Sequence, residues 1–145
     1  MINEHFYPVN LSWKDNRKGE LFAPEISQKI EVVTPPEFPK GIPGIWSPEH
    51  LFTASVSSCL MTTFLSIAEN SKLEFVSLEI NASGKLEKID GRYLMSEIHL
   101  SPELTILHKE DIDKAEKIIN KAESVCLISN SIKSKIILNP IIKVA

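Results

Sequence analysis

The sequence predicts an α+β fold of mainly antiparallel strands and two helices. Three observations carry this expectation. The first is a helical stretch from Leu51 to Ala68 with apolar or small residues on nearly every side and no formal charge between Glu49 and Glu69. The second is the turn signal Asp90-Gly91 between two segments of strand patterning. The third is the 3-4-3-4 spacing of Ile112, Ala115, Ile119, Ala122 and Cys126, which places one apolar stripe on a second helix.

The elements follow in order. Tyr7 to Lys14 alternates weakly, and Gln28 to Val33 alternates better and carries β-branched residues, so both are expected as strands. Asp15-Asn16-Arg17-Lys18-Gly19 between them is a polar turn. The proline- and glycine-rich stretch from Pro35 to Gly44 cannot hold helix or central strand, because proline lacks an N–H and glycine is too free. It is expected as a surface loop. Ser47-Pro48-Glu49 opens the first helix with an N-cap, a first-turn proline and an acid that complements the dipole. That helix, apolar all round but too short and serine-rich for a membrane span, is expected to be central and buried. Glu74 to Ile89 and Arg92 to Leu100 form the hairpin, and Ser101-Pro102 is expected to end it. The second helix runs from about Lys109 to Val125, with Ile118 and Val125 widening its stripe. Its economical partner is the first helix. A last strand, Lys135 to Val144, surrounds Pro140, which implies an edge or a bulge. The order is β-β-α-β-β-α-β, without the repeated βαβ units of a nucleotide fold.

Composition narrows the function. The 145 residues are expected to form one domain, 1–145, with a core of its own. A net charge of −3 and no basic block make nucleic acid or an anionic membrane poor partners. The N-terminus lacks a basic start followed by an apolar run, so a cytoplasmic protein with reduced thiols is expected. Two cysteines are too few for a disulfide framework. They are either core filler or a redox pair.

Cys59 lies mid-helix and Cys126 ends the second helix on its apolar stripe. If those faces pack, the sulfurs can meet; free cysteine is also among the most buried residues, so two inert thiols remain open. Arg17 is either a solvated charge or a cation for a Cys59 thiolate, and Glu49 either a dipole residue or the carboxylate that holds Arg17. His5, His50, His99 and His108 show no ligand spacing with the cysteines, so no metal site is expected.

Pro48-Glu49-His50-Leu51-Phe52-Thr53-Ala54-Ser55-Val56-Ser57-Ser58-Cys59 resembles the P-E-x-L-F-x-A-x-x-x-x-C helix of the OsmC/Ohr family, the osmotically inducible protein C and organic hydroperoxide resistance proteins. Cys126-Leu127-Ile128-Ser129-Asn130 resembles that family's second cysteine followed by x-x-S-N, and Asn16-Arg17-Lys18-Gly19 its early arginine turn. The chain has Leu127 where many hydroperoxide-resistance members have proline, His50 where glutamine is common, and no glycine in the cysteine helix. The subfamily therefore stays open.

The resemblance implies an OsmC-like homodimer with central helices, curved sheets and interleaved strands. It implies a thiol peroxidase acting on organic hydroperoxides, re-reduced by an external dithiol such as dihydrolipoamide, without a cofactor. Carried over by position, Cys59 is the peroxidatic cysteine, Cys126 the resolving one, and Arg17 with Glu49 the activating pair. Trp46, Phe52, Met61, Phe64, Leu127 and Ile128 are expected to line an apolar entrance, against the alternative that they are plain core. Two other functions stay open: a non-catalytic dimer binding an apolar ligand, and a thiol redox sensor.

Overall fold

A computed structural model describes residues 4–145. The chain forms two compact units, the first ending at Leu51 and the second running from Phe52 to Ala145.

The first unit carries a three-stranded antiparallel sheet in the order β1 (Asn10–Asp15), β2 (Lys18–Ala23), β3 (Ile26–Val33). The sequence suggests only the outer two strands. The middle one, Lys-Gly-Glu-Leu-Phe-Ala, begins inside the predicted turn and does not alternate cleanly. It is a strand because both edges are paired, with Leu21 opposite Leu11 on one side and Ile30 on the other. The β1–β2 turn is tight. Asn16 adopts φ 44°, a left-handed conformation that asparagine tolerates. The Trp13 indole N–H donates to the Asn16 carbonyl at 3.0 Å. Beyond β3 the proline-rich segment is a loop, as its composition predicts. Gly41 is required there, since a Cβ would fall 2.0 Å from the Pro35 carbonyl oxygen. The loop ends where Trp46 bridges Val32 and accepts the Val33 N–H at 2.9 Å.

In the second unit, β4 (Phe75–Ile89) and β5 (Arg92–Ile106) form the expected hairpin. Asp90 and Gly91 both have positive φ, 49° and 79°, as the two-residue turn demands. Two of the strand boundaries differ from the sequence reading. Pro102 does not end the second hairpin strand, which continues to Ile106. The last strand is two, β6 (Lys135–Leu138) and β7 (Ile141–Val144), both parallel to β5. One cause explains both. The β6 pairing stops at Leu100–Leu138 and the β7 pairing resumes at Glu103–Ile141. Pro102 and Pro140 therefore sit where the parallel ladder is interrupted and no N–H is needed.

The core of this unit is built by three elements. Alternate residues of β5 point inward: Ile98, Leu100, Leu104 and Ile106. Helix α2 (Ile112–Val125), entered through a short turn of 3-10 helix at Lys109–Asp111, contributes Ala115, Ile118, Ile119 and Ala122. Helix α1 (Pro48–Asn70) contributes Val56, Leu60, Phe64 and Ala68. Only this stripe of α1 is buried; Met61 and Leu65 on its other side are each 41% exposed. The expectation of a fully buried helix is corrected accordingly. So is its length. With 23 residues and a mean hydropathy of 1.6 over its best window, α1 is long and apolar enough to cross a membrane by length and composition alone. Here it packs one face against the core.

Candidate active site

Cys59 is on the core-facing stripe of α1, because it follows Val56 by three residues and precedes Leu60 in the same buried row. Cys126 is the residue on which α2 ends. It leaves the helix with ψ 120°, and its side chain is fully buried. Both are free thiols. Each is close enough to act on the acidity of the other.

The two thiols shift in opposite directions. Burial pushes Cys59 up, but the Cys126 thiol, the Ile128 N–H, the Thr63 hydroxyl and the Leu127 N–H outweigh it and leave it below its ordinary value. Thr63 stands one turn further along α1, its Oγ1 3.9 Å from the sulfur. Burial also pushes Cys126 up. Donation to Cys59 raises it further, and Ser129 offsets this only in part. A sulfur favouring its anion beside one favouring its proton is an arrangement from which a disulfide forms once the first is oxidised.

The entry to α1 is capped by Ser47, as the sequence predicts, and His50 makes the cap reciprocal, which the sequence reading does not anticipate. Ser47 accepts the His50 N–H on its Oγ at 3.2 Å, and His50 Nδ1 accepts the Ser47 N–H at 3.2 Å. This is the capping box with histidine in the role of glutamate or glutamine. The S-x-x-H spacing was the signal for it. The Ser47 side chain is also within 2.7 Å of Nδ1, so His50 is held as an acceptor at that nitrogen. Glu49, between the two, has its Oε1 shielded from solvent.

Arg17 is exposed in the β1–β2 turn. With Leu11, Trp13, Lys18, Val33 and Pro48 it lines a recess of about 240 Å³ in the first unit. Trp46 and His50 line a second recess of about 270 Å³, with their rings edge-on at 6.1 Å. The expected entrance residues scatter. Phe64 is corrected to core: it is fully buried and packs edge-to-face on Phe75 at 5.3 Å. Phe52 and Ile128 are half-buried against the same core. Leu127 is 68% exposed. Met61, two residues beyond Cys59, lies about 200° around the helix from it. No cluster of three or more potential metal ligands occurs among the described residues.

A family model described as OsmC-like protein matches residues 41–140, which include both cysteines. The chain belongs to the OsmC-like family. Among relatives, this OsmC-like chain is 26% identical to the uncharacterized protein YmaD of Bacillus subtilis (strain 168), over 94% of this chain and 91% of YmaD. It is similar in fold to an OsmC-like protein of unknown function from Vibrio cholerae, with a TM-score of 0.86, 24% identity and coverage of 95% and 100% of the two chains. It is also similar to an organic hydroperoxide resistance protein from Elizabethkingia anophelis, with a TM-score of 0.76, 19% identity and full coverage of both chains. The organic hydroperoxide resistance protein OhrB of Bacillus subtilis gives a TM-score of 0.67 at 19% identity, covering 96% of this chain and 98% of OhrB.

Proposed function

We propose that this OsmC-like protein is a thiol peroxidase that reduces organic hydroperoxides. The observation that carries the reading is the pair of buried free thiols that act on one another, with Cys59 lowered and Cys126 raised. The fold shared with proteins named for organic hydroperoxide resistance supports the choice of oxidant. The Cys59 thiolate attacks the distal oxygen of ROOH and the O–O bond breaks. The alkoxide takes a proton and leaves as ROH, and Cys59 becomes a sulfenic acid. The Cys126 sulfur attacks Cys59, a disulfide forms and water leaves. A small dithiol of the dihydrolipoamide class then exchanges with the disulfide, becomes oxidised itself and restores both thiols.

Arg17 and Glu49 act as the activating pair in this proposal, the guanidinium favouring the thiolate and the carboxylate orienting the guanidinium. The working unit is a homodimer. The exposed apolar side of α1, with Met61 and Leu65, supports a second copy as its cover. The setting is the cytoplasm, where dithiols keep both cysteines reduced.

The test is consumption of cumene hydroperoxide with dihydrolipoamide as donor, set against hydrogen peroxide. Multiple turnovers that vanish in Cys59→Ser are expected. Turnover unchanged by that substitution would refute the mechanism, and stoichiometric oxidation without a cycle would favour a sensor.

A further inference from the structure

Two exposed polar residues beyond Cys126 make contacts that the peroxidase mechanism does not use. Asn130 Nδ2 donates to the Cys126 carbonyl at 2.8 Å and to the Ser124 carbonyl at 3.1 Å, and the Asn130 N–H donates to the same Cys126 oxygen at 3.1 Å. The Ser131 hydroxyl donates to the Leu127 carbonyl at 2.7 Å. These bonds fix more than the oxygens they touch. A trans peptide is planar, and its C=O and N–H point in opposite directions; every peptide among the described residues is trans. Holding the Cys126 carbonyl therefore aims the Leu127 N–H the other way. Holding the Leu127 carbonyl does the same for the Ile128 N–H. Both of these N–H groups are among the influences that lower Cys59.

We propose that Asn130 and Ser131 are positioning residues of the cysteine site: each pins one peptide plane so that the amides of Leu127 and Ile128 converge on the Cys59 sulfur and stabilise it as an anion. The proposal rests on the reading of Cys59 as the reacting thiol. Its physical basis is preorganisation. Amide donors already oriented toward a developing charge need no rearrangement when the charge appears, and they remain donors at every pH. The second unit thus carries its own anion-stabilising set for Cys59, separate from any contribution of Arg17. Because Asn130 and Ser131 are exposed, changing them removes hydrogen bonds without opening the core.

The experiment needs no peroxide. Labelling of Cys59 by iodoacetamide is followed against pH by peptide mass spectrometry in the full chain. Asn130→Ala and Ser131→Ala should each move the Cys59 profile to higher pH, with labelling at pH 6.5 about three- to tenfold slower, the loss expected from one weakened charge-assisted bond. Ser131→Thr, which keeps the hydroxyl, should label within about twofold of wild type. Ser124→Ala removes a hydroxyl bonded to the Lys121 carbonyl, outside the two peptide planes, and should leave the profile in place. Unshifted profiles in Ser131→Ala and Asn130→Ala would overturn the proposal, as would an equal shift in Ser124→Ala or in Ser131→Thr. If Asn130→Ala fails to fold, Ser131→Ala decides. A wild type inactive toward hydroperoxide whose Cys59 profile still shifts in Ser131→Ala would refute the peroxidase reading and uphold the positioning.

Discussion

Helices α1 and α2 each deliver a cysteine to the same core, by different routes and with different results. Helix α2 has one apolar stripe, so its buried face is written into its spacing, and Cys126 is the last member of that row. Helix α1 is apolar nearly all round, and its sequence does not single out the stripe that packs. Its cysteine is mid-helix, with its own N–H and C=O committed to the helix ladder. In the positioning proposed above, the turn after α2 lends the Leu127 and Ile128 amides to Cys59. The thiol with the donors is lowered, and the thiol that donates is raised. Burial raises both thiols, and hydrogen bonding lowers Cys59 past that effect while leaving Cys126 raised.

The largest test of this contrast is chemical. Cys59→Ser should lower hydroperoxide turnover at least about a thousandfold, since the covalent route is lost. Cys126→Ser should still permit one oxidation of Cys59 and then stall. Mass spectrometry of the oxidised variant would show sulfinic acid on Cys59 as peroxide accumulates, and sustained turnover with dithiol would remove Cys126 from the resolving role.

The two sides of α1 differ in packing. Phe64→Ala should destabilise by about 3–5 kcal/mol, and Leu65→Ala by less than about 1 kcal/mol in the monomer, read from denaturant midpoints. Equal losses would mean that the outer side of the helix is as closely packed as the inner.

A subtler measure is pH. An acid lowered from its ordinary value ionises earlier as pH rises, so the midpoint of Cys59 alkylation should fall at lower pH than that of an ordinary thiol, and the midpoint of Cys126 alkylation at higher pH. Reversal of that order would undo the assignment of the two thiols. The smallest expected effect is at the helix entry. Ser47→Ala should cost about 1 kcal/mol by removing the hydroxyl that accepts the His50 N–H, whereas His50→Gln, which restores the usual capping-box acceptor, should stay close to wild type in thermal midpoint.

Much of the fold was legible because its signals are local. The Asp90-Gly91 turn, the Ser47 cap and the α2 stripe each need only a few neighbouring residues to act. Strand β2 was not legible, because its identity comes from partners on both edges rather than from its own pattern. The prolines misled for the same reason. Pro102 breaks a strand only if a partner there requires its N–H, and the gap between β6 and β7 removes that requirement. Phe64 resembled an entrance residue because it lies near Cys59 in sequence; its position on the inner stripe was settled by packing.

The sequence by itself determined the α+β class, the two helices, the long hairpin and the two cysteines worth pairing. Periodicity, capping and turn chemistry act over a few residues, and the family motifs are strings. Tertiary structure alone decided which side of α1 is covered, that Cys59 and Cys126 are both buried and act on one another, and that Asn130 and Ser131 hold the two peptide planes after Cys126. Those facts depend on the direction of atoms brought together across 67 positions, from Cys59 to Cys126, and no local pattern carries that direction.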